Sequence, residues 1–242
     1  MKLKDMRWIV TDTETTGLDP DNDRLVEIGL NVVWLDKKDS AWSTLINPDM
    51  HIPPEASAIH HLVDKDVRMA GKLCAHVKGI KVIARHGTMI AHNAHFDKSF
   101  LPFLDYLKWI CTMRMAKKLW PESTTHSNQG LRYYLDLDVK PTGSIHRVDA
   151  DVEVTTALFK RIIEEYTTQF VKTEKDDDFD KFYEWASSPI LGLTMPFGKH
   201  KNVEFRKIPL SYLVWADKNL LDIDSDLKYT ITHHLNIRKG IK

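Results

Sequence analysis

Three consecutive β-favouring runs, followed by segments that alternate between helix-like and strand-like patterning, restrict this chain to a mixed sheet with helices on its faces. The runs are Arg7–Thr11, Leu25–Leu35 and Ser40–Ile46, separated by the turn clusters 19–23 and 36–39. Such short turns predict an antiparallel meander. Residues 54–68 and 72–85 then read as helices, Thr88–Ala91 as a strand, Asp97–Leu107 as a helix and Trp109–Cys111 as a short strand. Met113–Leu119, Asn128–Leu137 and Asp149–Tyr166 read as further helices. The expected class for residues 1–170 is α/β. Residues 171–188, which contain Asp176-Asp177-Asp178, read as an acidic linker. Residues 189–242 read as a small α+β module, a hairpin of Leu191–Phe197 with Val203–Phe205 followed by helices over Pro209–Lys218 and Ser225–Leu235.

Chemistry concentrates at strand and helix ends. In Thr11-Asp12-Thr13-Glu14-Thr15-Thr16-Gly17, at the exit of the first strand, residues two apart share a face, so Asp12 and Glu14 project together. Converging carboxylates repel unless a cation joins them, and a hard divalent ion such as Mg²⁺ suits oxygen ligands. The plain alternative is an acidic strand end. Asp97, in His92-Asn93-Ala94-His95-Phe96-Asp97, follows a strand and opens a helix, either as a ligand or as an N-cap. His146 lies in a loop after Pro141-Thr142-Gly143-Ser144, and Asp151 five residues later falls in the first turn of the last long helix, where carboxylates are favoured in any case. Asp149 is expected to cap that helix.

Composition adds limits. No apolar run approaches the roughly 18 residues of a membrane helix, and the expected setting is intracellular and cytoplasmic, with Cys74 and Cys111 as free buried thiols. Formal net charge is zero, yet residues 189–242 carry nine Lys and Arg against five Asp and Glu. That local excess, rather than the global balance, is compatible with nucleic acid.

The ordered set Asp12-x-Glu14, Asp97 and His146-x₄-Asp151 resembles the DEDDh (DnaQ-like) 3′→5′ exonuclease family across residues 7–166. Trp109-Ile110-Cys111-Thr112-Met113, Ala116 to Pro121, Ser127-Asn128, Phe197-Gly198-Lys199 and Tyr212-Leu213-Val214-Trp215 are similar to exonuclease X-like members, which carry a small C-terminal module. One departure is Asn202, where a second glycine is usual near the hairpin tip; asparagine tolerates the left-handed conformation next best. The resemblance implies a ribonuclease H-like fold and two divalent cations, Mg²⁺ or Mn²⁺, about 3.5–4 Å apart, held by Asp12, Glu14, Asp97 and Asp151. It implies His146 as general base and nucleoside 5′-monophosphates as products. The expected substrate is DNA, at single-stranded or frayed 3′ ends, in repair; RNA trimming or an inactive nucleic-acid-binding protein are the alternatives. Thr15, Thr16, Gly17, Leu18, His60, His92 and Asn93 are expected near the terminal nucleotide. Phe96 and Phe100 read either as base-stacking residues or, by preference, as core. Lys199, His200, Lys201, Arg206 and Lys207 are expected to follow phosphates or to form a solvated basic surface, with Tyr212 and Trp215 as module core.

Overall fold

The computed structural model describes residues 1–141, 146–220 and 223–240. The chain divides into two compact units, Met1–Ala186 and Ser187–Lys242.

The first unit is built on a five-stranded sheet. Strand β1 (Trp8–Thr15) pairs antiparallel with β2 (Leu25–Val33), which pairs antiparallel with β3 (Ser40–Leu45). On its other side β1 runs parallel to β4 (Thr88–Ala91), and β4 parallel to β5 (Trp109–Cys111), giving the order β3-β2-β1-β4-β5. The expected meander and mixed sheet are both present, in a ribonuclease H-like arrangement. Trp8, Ile9 and Val10 are fully buried because β1 is central and covered on both faces.

Alternation along β1 decides what each face meets. Trp8 and Val10 join the cluster containing Leu158, Phe159 and Ile162 of α7 (Val148–Phe170), while Ile9 joins Ile28, Met89 and Ile80, the last from α3 (Leu73–Ala84). Asp12 and Glu14 continue the even-numbered series, so they project towards α7. Strand β2 meets the same helix with Glu27, Gly29 and Asn31. Asn31 Nδ2 donates to Thr156 Oγ1 at 3.1 Å. Gly29 has no side chain where one would collide: a Cβ there would lie 3.0 Å from both Val148 Cβ and Val152 Cγ2. Gly29→Ala should therefore push α7 off the sheet and lower stability by about 1–3 kcal/mol, measurable as a fall in urea midpoint with unchanged m-value.

Several local expectations are corrected. Residues 54–68 form two helices, α1 (Pro54–His60) and α2 (Asp64–Val67), because His61 turns left-handed at φ 61°. The helix expected from Asp97 begins earlier, as α4 (Ala94–Phe100), and stops before Pro102, which starts a short 3-10 turn. Asp97 is thus inside the helix, and its N-cap residue is Asn93. Helices α5 (Thr112–Leu119) and α6 (Asn128–Tyr134) follow; α6 is capped by Ser127 Oγ. Helix α7 starts at Val148 with Arg147 at the cap position, so Asp149 is a first-turn residue rather than the cap. Cys74 is exposed and Cys111 partly so, and both are free thiols.

The acidic stretch contains a helix, α8 (Phe179–Ser187), whose Phe179 and Phe182 rings lie 5.8 and 5.7 Å from the Trp8 ring. Its carboxylates are engaged. Asp178 accepts from the backbone N–H groups of Asp180 and Lys181 at the helix start, and Asp176 accepts from Thr173 and Lys181, which hold its carboxyl down to about 2. A like-charge run here serves as turn and cap.

The second unit packs α9 (Leu210–Asn219) against α10 (Ser225–Lys239) around Met195, Phe205, Leu213 and Ile231. The expected hairpin is reduced to one bridge, Thr194 with Glu204, because both arms run into 3-10 turns, Gly198–His200 and Phe205–Lys207. Asn202 adopts φ 64°, the left-handed conformation anticipated for it. Among the described residues no helix is long and apolar enough to cross a membrane.

Candidate active site

The carboxylates named above converge. Asp12, Glu14, Asp97, His146 and Asp151 line one open cleft of about 540 Å³, together with Thr13, His92, Phe96 and Ser127-Asn128-Gln129. Asp12, Glu14 and Asp151 each present an oxygen within 4.8 Å of the others. Asp97 is buried beside them and accepts from Thr13 Oγ1 at 2.9 Å. Asp151 is oriented by two donors, the Gln129 side-chain amide at 3.1 Å and the His146 backbone N–H at 2.8 Å. The second contact holds the exposed His146, whose φ is 62°, at the start of α7.

Such crowding is electrostatically costly. Burial, then Asp97, Glu14 and Asp151, push the Asp12 carboxyl well above its usual range. Glu14 is pushed up to about 8 by burial and then by Asp151 and Glu27. Burial raises Asp97 to about 7, against the pull of its Thr13 hydrogen bond. A set of hard oxygen donors destabilised as anions is chemically suited to divalent cations.

A fifth acid belongs to the surroundings. Glu27 lies directly across the strand pair from Glu14 and is buried. The Arg147 guanidinium grips it with two hydrogen bonds, 2.9 and 2.6 Å. Neither residue was singled out from sequence, although a lone Glu in the apolar run Leu25–Leu30 signals a buried partner. Arg147→Met leaves Glu27 unpaired beside Glu14. A loss of about 2 kcal/mol is expected in thermal or urea unfolding, below the figure for fully buried pairs because Arg147 is partly exposed.

The residues expected around the nucleotide separate into groups. Thr15, Thr16, Gly17, Leu18 and His60 line a second cavity of about 330 Å³ with Ala56 and Ile59; Glu14 and Phe96 line both cavities, so the two adjoin. A bulge between Glu14 and Thr15 redirects the chain there. Leu18 is 82% exposed at the rim. His60 is buried, and its Nδ1 accepts the Leu62 N–H. His92 lines the acidic cleft, but both ring nitrogens are occupied. Nε2 contacts the His126 carbonyl at 2.8 Å and so carries the proton, while Nδ1 meets Thr112 Oγ1 at 2.9 Å. Burial lowers its pKa to about 4, which makes it a neutral tie between β4 and α5. Asn93 is exposed, lines neither cavity and supplies the left-handed residue before α4. Phe100 is core, 5.1 Å from Phe96. Gln129, which was not anticipated, reaches the Asp151 carboxylate from the start of α6, and Asn128, quoted above only as part of the family resemblance, donates to the Asp151 backbone carbonyl.

In the second unit Lys199, Lys201 and Arg206 are exposed, with Arg206 and Lys207 both paired to Glu204. Trp215 is 48% exposed and Tyr212 only partly buried, so Trp215 is not the core residue it was expected to be.

Comparison with known proteins agrees with this geometry. A family model described as exonuclease matches residues 9–159, and a model for a quorum-sensing-regulated virulence factor matches residues 188–220. Exodeoxyribonuclease 10 of Escherichia coli K12 is 30% identical over 234 residues, covering 93% of this chain and 97% of that protein. The DNA polymerase III subunit epsilon of Treponema pallidum is 34% identical over 65% of this chain and 77% of its own length. Among solved structures, exonuclease X in complex with 5′ overhanging duplex DNA superposes with a TM-score of 0.55 at 31% identity, covering 70% of this chain and 96% of that one. Escherichia coli exonuclease I, at 16% identity, 69% and 43% coverage and TM-score 0.58, shares the fold. With the matched region spanning the sheet, all four acids and the histidine, the chain belongs to the DnaQ-like, DEDDh-type exonuclease family of phosphodiester hydrolases.

Proposed function

We propose that this protein removes nucleoside 5′-monophosphates from the 3′ ends of DNA, preferring single-stranded or frayed ends, in DNA repair. The observation that carries the reading is the adjoining pair of cavities, one acidic and one largely apolar, sharing Glu14 and Phe96. A terminal nucleoside seated against Gly17, Leu18, Ala56 and Ile59 would place its phosphate over the carboxylates. A cavity of about 330 Å³ has room for one unpaired base. DNA is favoured over RNA because tight binding of a 2′-hydroxyl calls for polar partners, and much of this lining is apolar.

Asp12, Glu14, Asp97 and Asp151 would hold two divalent ions, Mg²⁺ or Mn²⁺, a reading supported by the hard oxygen donors they present. Bound there, such ions supply Lewis acidity at the scissile phosphate and lower the pKa of a bound water. Glu14, closest to the nucleoside cavity, positions the attacking water. His146, on the loop side of the cleft, takes the water's proton as general base. Gln129 and the His146 N–H keep Asp151 aimed inward, which couples the base and an acid through one hydrogen bond. In the second unit, Lys199, Lys201 and Arg206 are proposed to contact DNA.

The test uses 5′-labelled single-stranded DNA and RNA oligomers of one sequence, with Mg²⁺ and then with chelator. A descending DNA ladder that needs the metal is expected. Faster loss of RNA would move the protein to RNA trimming, and intact oligomers with retained binding would make it a non-cutting nucleic-acid-binding protein.

A further inference from the structure

One face of α9 is left uncovered. Leu213 and Ala216 are buried in the core of the second unit; Tyr212 packs against that core while partly exposed, and Trp215, three residues on, lies outside it. The Tyr212 and Trp215 rings are 5.4 Å apart. The His200 ring sits edge-on to Tyr212 at 4.4 Å. The three rings form a continuous strip that ends on the half-exposed indole of Trp215. The backbone brings it close to a basic turn. Gly198 has φ 73°, and a Cβ there would lie 3.3 Å from Tyr212 Oη, so the turn 198–202 passes directly over the strip. Lys199 and Lys201 flank His200 in that turn, both exposed and without an ion pair among the described residues. Lys218 lies one helical turn beyond Trp215. The nearby acid that could neutralise such a turn, Glu204, is already shared between Arg206 and Lys207.

An exposed indole, continued by two partly exposed rings and set beside unpaired cations, matches the chemistry of a single nucleic-acid strand, whose bases stack on aromatic faces and whose phosphates take the charge. A protein partner would favour a wholly apolar surround at the same rings; here the neighbouring turn adds two unpaired lysines to the exposed Phe197. We infer that the His200–Tyr212–Trp215 strip with Lys199 and Lys201 is a second binding site for single-stranded DNA, separate from the catalytic cleft. The assignment rests on the DNA reading of that cleft. Its role is retention. A strand held on the same chain as the cleft re-enters it at a raised effective concentration, so long strands benefit and very short ones do not.

The test measures binding of fluorescein-labelled (dT)30 and (rU)30 by the full-length protein in chelator, where no hydrolysis occurs, across a salt series. Trp215→Ala should weaken (dT)30 binding about five- to tenfold or more. Lys199→Ala with Lys201→Ala should flatten the logarithmic salt dependence by about 1.4, near 0.7 for each lost phosphate contact on a single strand. Tyr229→Ala, which removes another exposed aromatic of this unit, should change neither. Wild-type affinity and salt slope in both the Trp215 and the lysine variants, with native circular dichroism, would overturn the assignment. So would a larger Trp215→Ala effect on (rU)30 than on (dT)30. Failure of the exonuclease reading is a different result, wild-type protein that leaves DNA intact in Mg²⁺.

Discussion

Asp12→Asn should abolish hydrolysis and at the same time make the metal-free protein more stable. Asp12 is raised by burial and by Asp97, Glu14 and Asp151, so its charge is opposed from every side. Asparagine has no charge to confine there, so the folded apo protein no longer opposes ionisation at this position. The substitution also removes a ligand, and losing several kcal/mol of transition-state stabilisation corresponds to a rate at least about a thousandfold lower. The sign of the linked pH effect follows from the same crowding. Glu14 and Asp97 have folded pKa values near 8 and 7, above their unfolded values, so the folded state holds protons that the unfolded state has released. Their contribution is intact below about pH 4 and is lost as pH rises through the folded values. Buried histidines such as His92, lowered to about 4, act in the opposite direction, but only below their ordinary value of 6.5. Between pH 6.5 and 8, the apo protein should therefore lose stability with rising pH. Addition of Mg²⁺ or Mn²⁺ should remove most of that slope in the wild type and little of it in Asp12→Asn. Thermal melts of both proteins at several pH values, with chelator and with metal, decide it; a melting temperature in chelator that rises from pH 6.5 to 8 would refute the account.

His146→Asn is expected to lower the rate about 10²- to 10⁴-fold, the usual contribution of a positioned base, while leaving metal-induced stabilisation intact. Asparagine is chosen because His146 has φ 62°, which Asn adopts with little strain, and because the backbone N–H to Asp151 survives the change. A variant that loses metal-induced stabilisation as well would show that the imidazole supports the metal site itself rather than acting on the water alone.

Much of the architecture was legible because periodicity is a direct physical signal. The buried run Trp8-Ile9-Val10 followed by Asp12 and Glu14 marks a central strand whose exit carries two acids on one face. The packing of Trp8 and Val10 then explains why that face is the one α7 approaches. The position of Asp97 within α4 was less legible, since an Asp after a strand looks like a cap, and only the left-handed Asn93 shifts the helix start. The acidic stretch misled for a related reason. Asp176 and Asp178 resemble a solvated linker until Phe179 and Phe182 are seen against Trp8, a contact between segments far apart in sequence. Glu27 and Arg147 were invisible as a pair because their partnership is created by the cross-strand register with Glu14. Trp215 was misplaced because i, i+3 spacing identifies a face without saying whether anything covers it.

The acids come from opposite ends of the domain: Asp12 and Glu14 from its first strand, Asp151 from its last long helix, which also covers the sheet. A growing chain on the ribosome therefore carries Asp12 and Glu14, and then Asp97 from α4, for most of its synthesis without the fourth acid that completes the set. Until α7 emerges, β1 lacks both its cover and the Asp151 oxygen. The order of synthesis thus acts as a safety catch: a copy that ends before α7 lacks Asp151 and is expected not to cut.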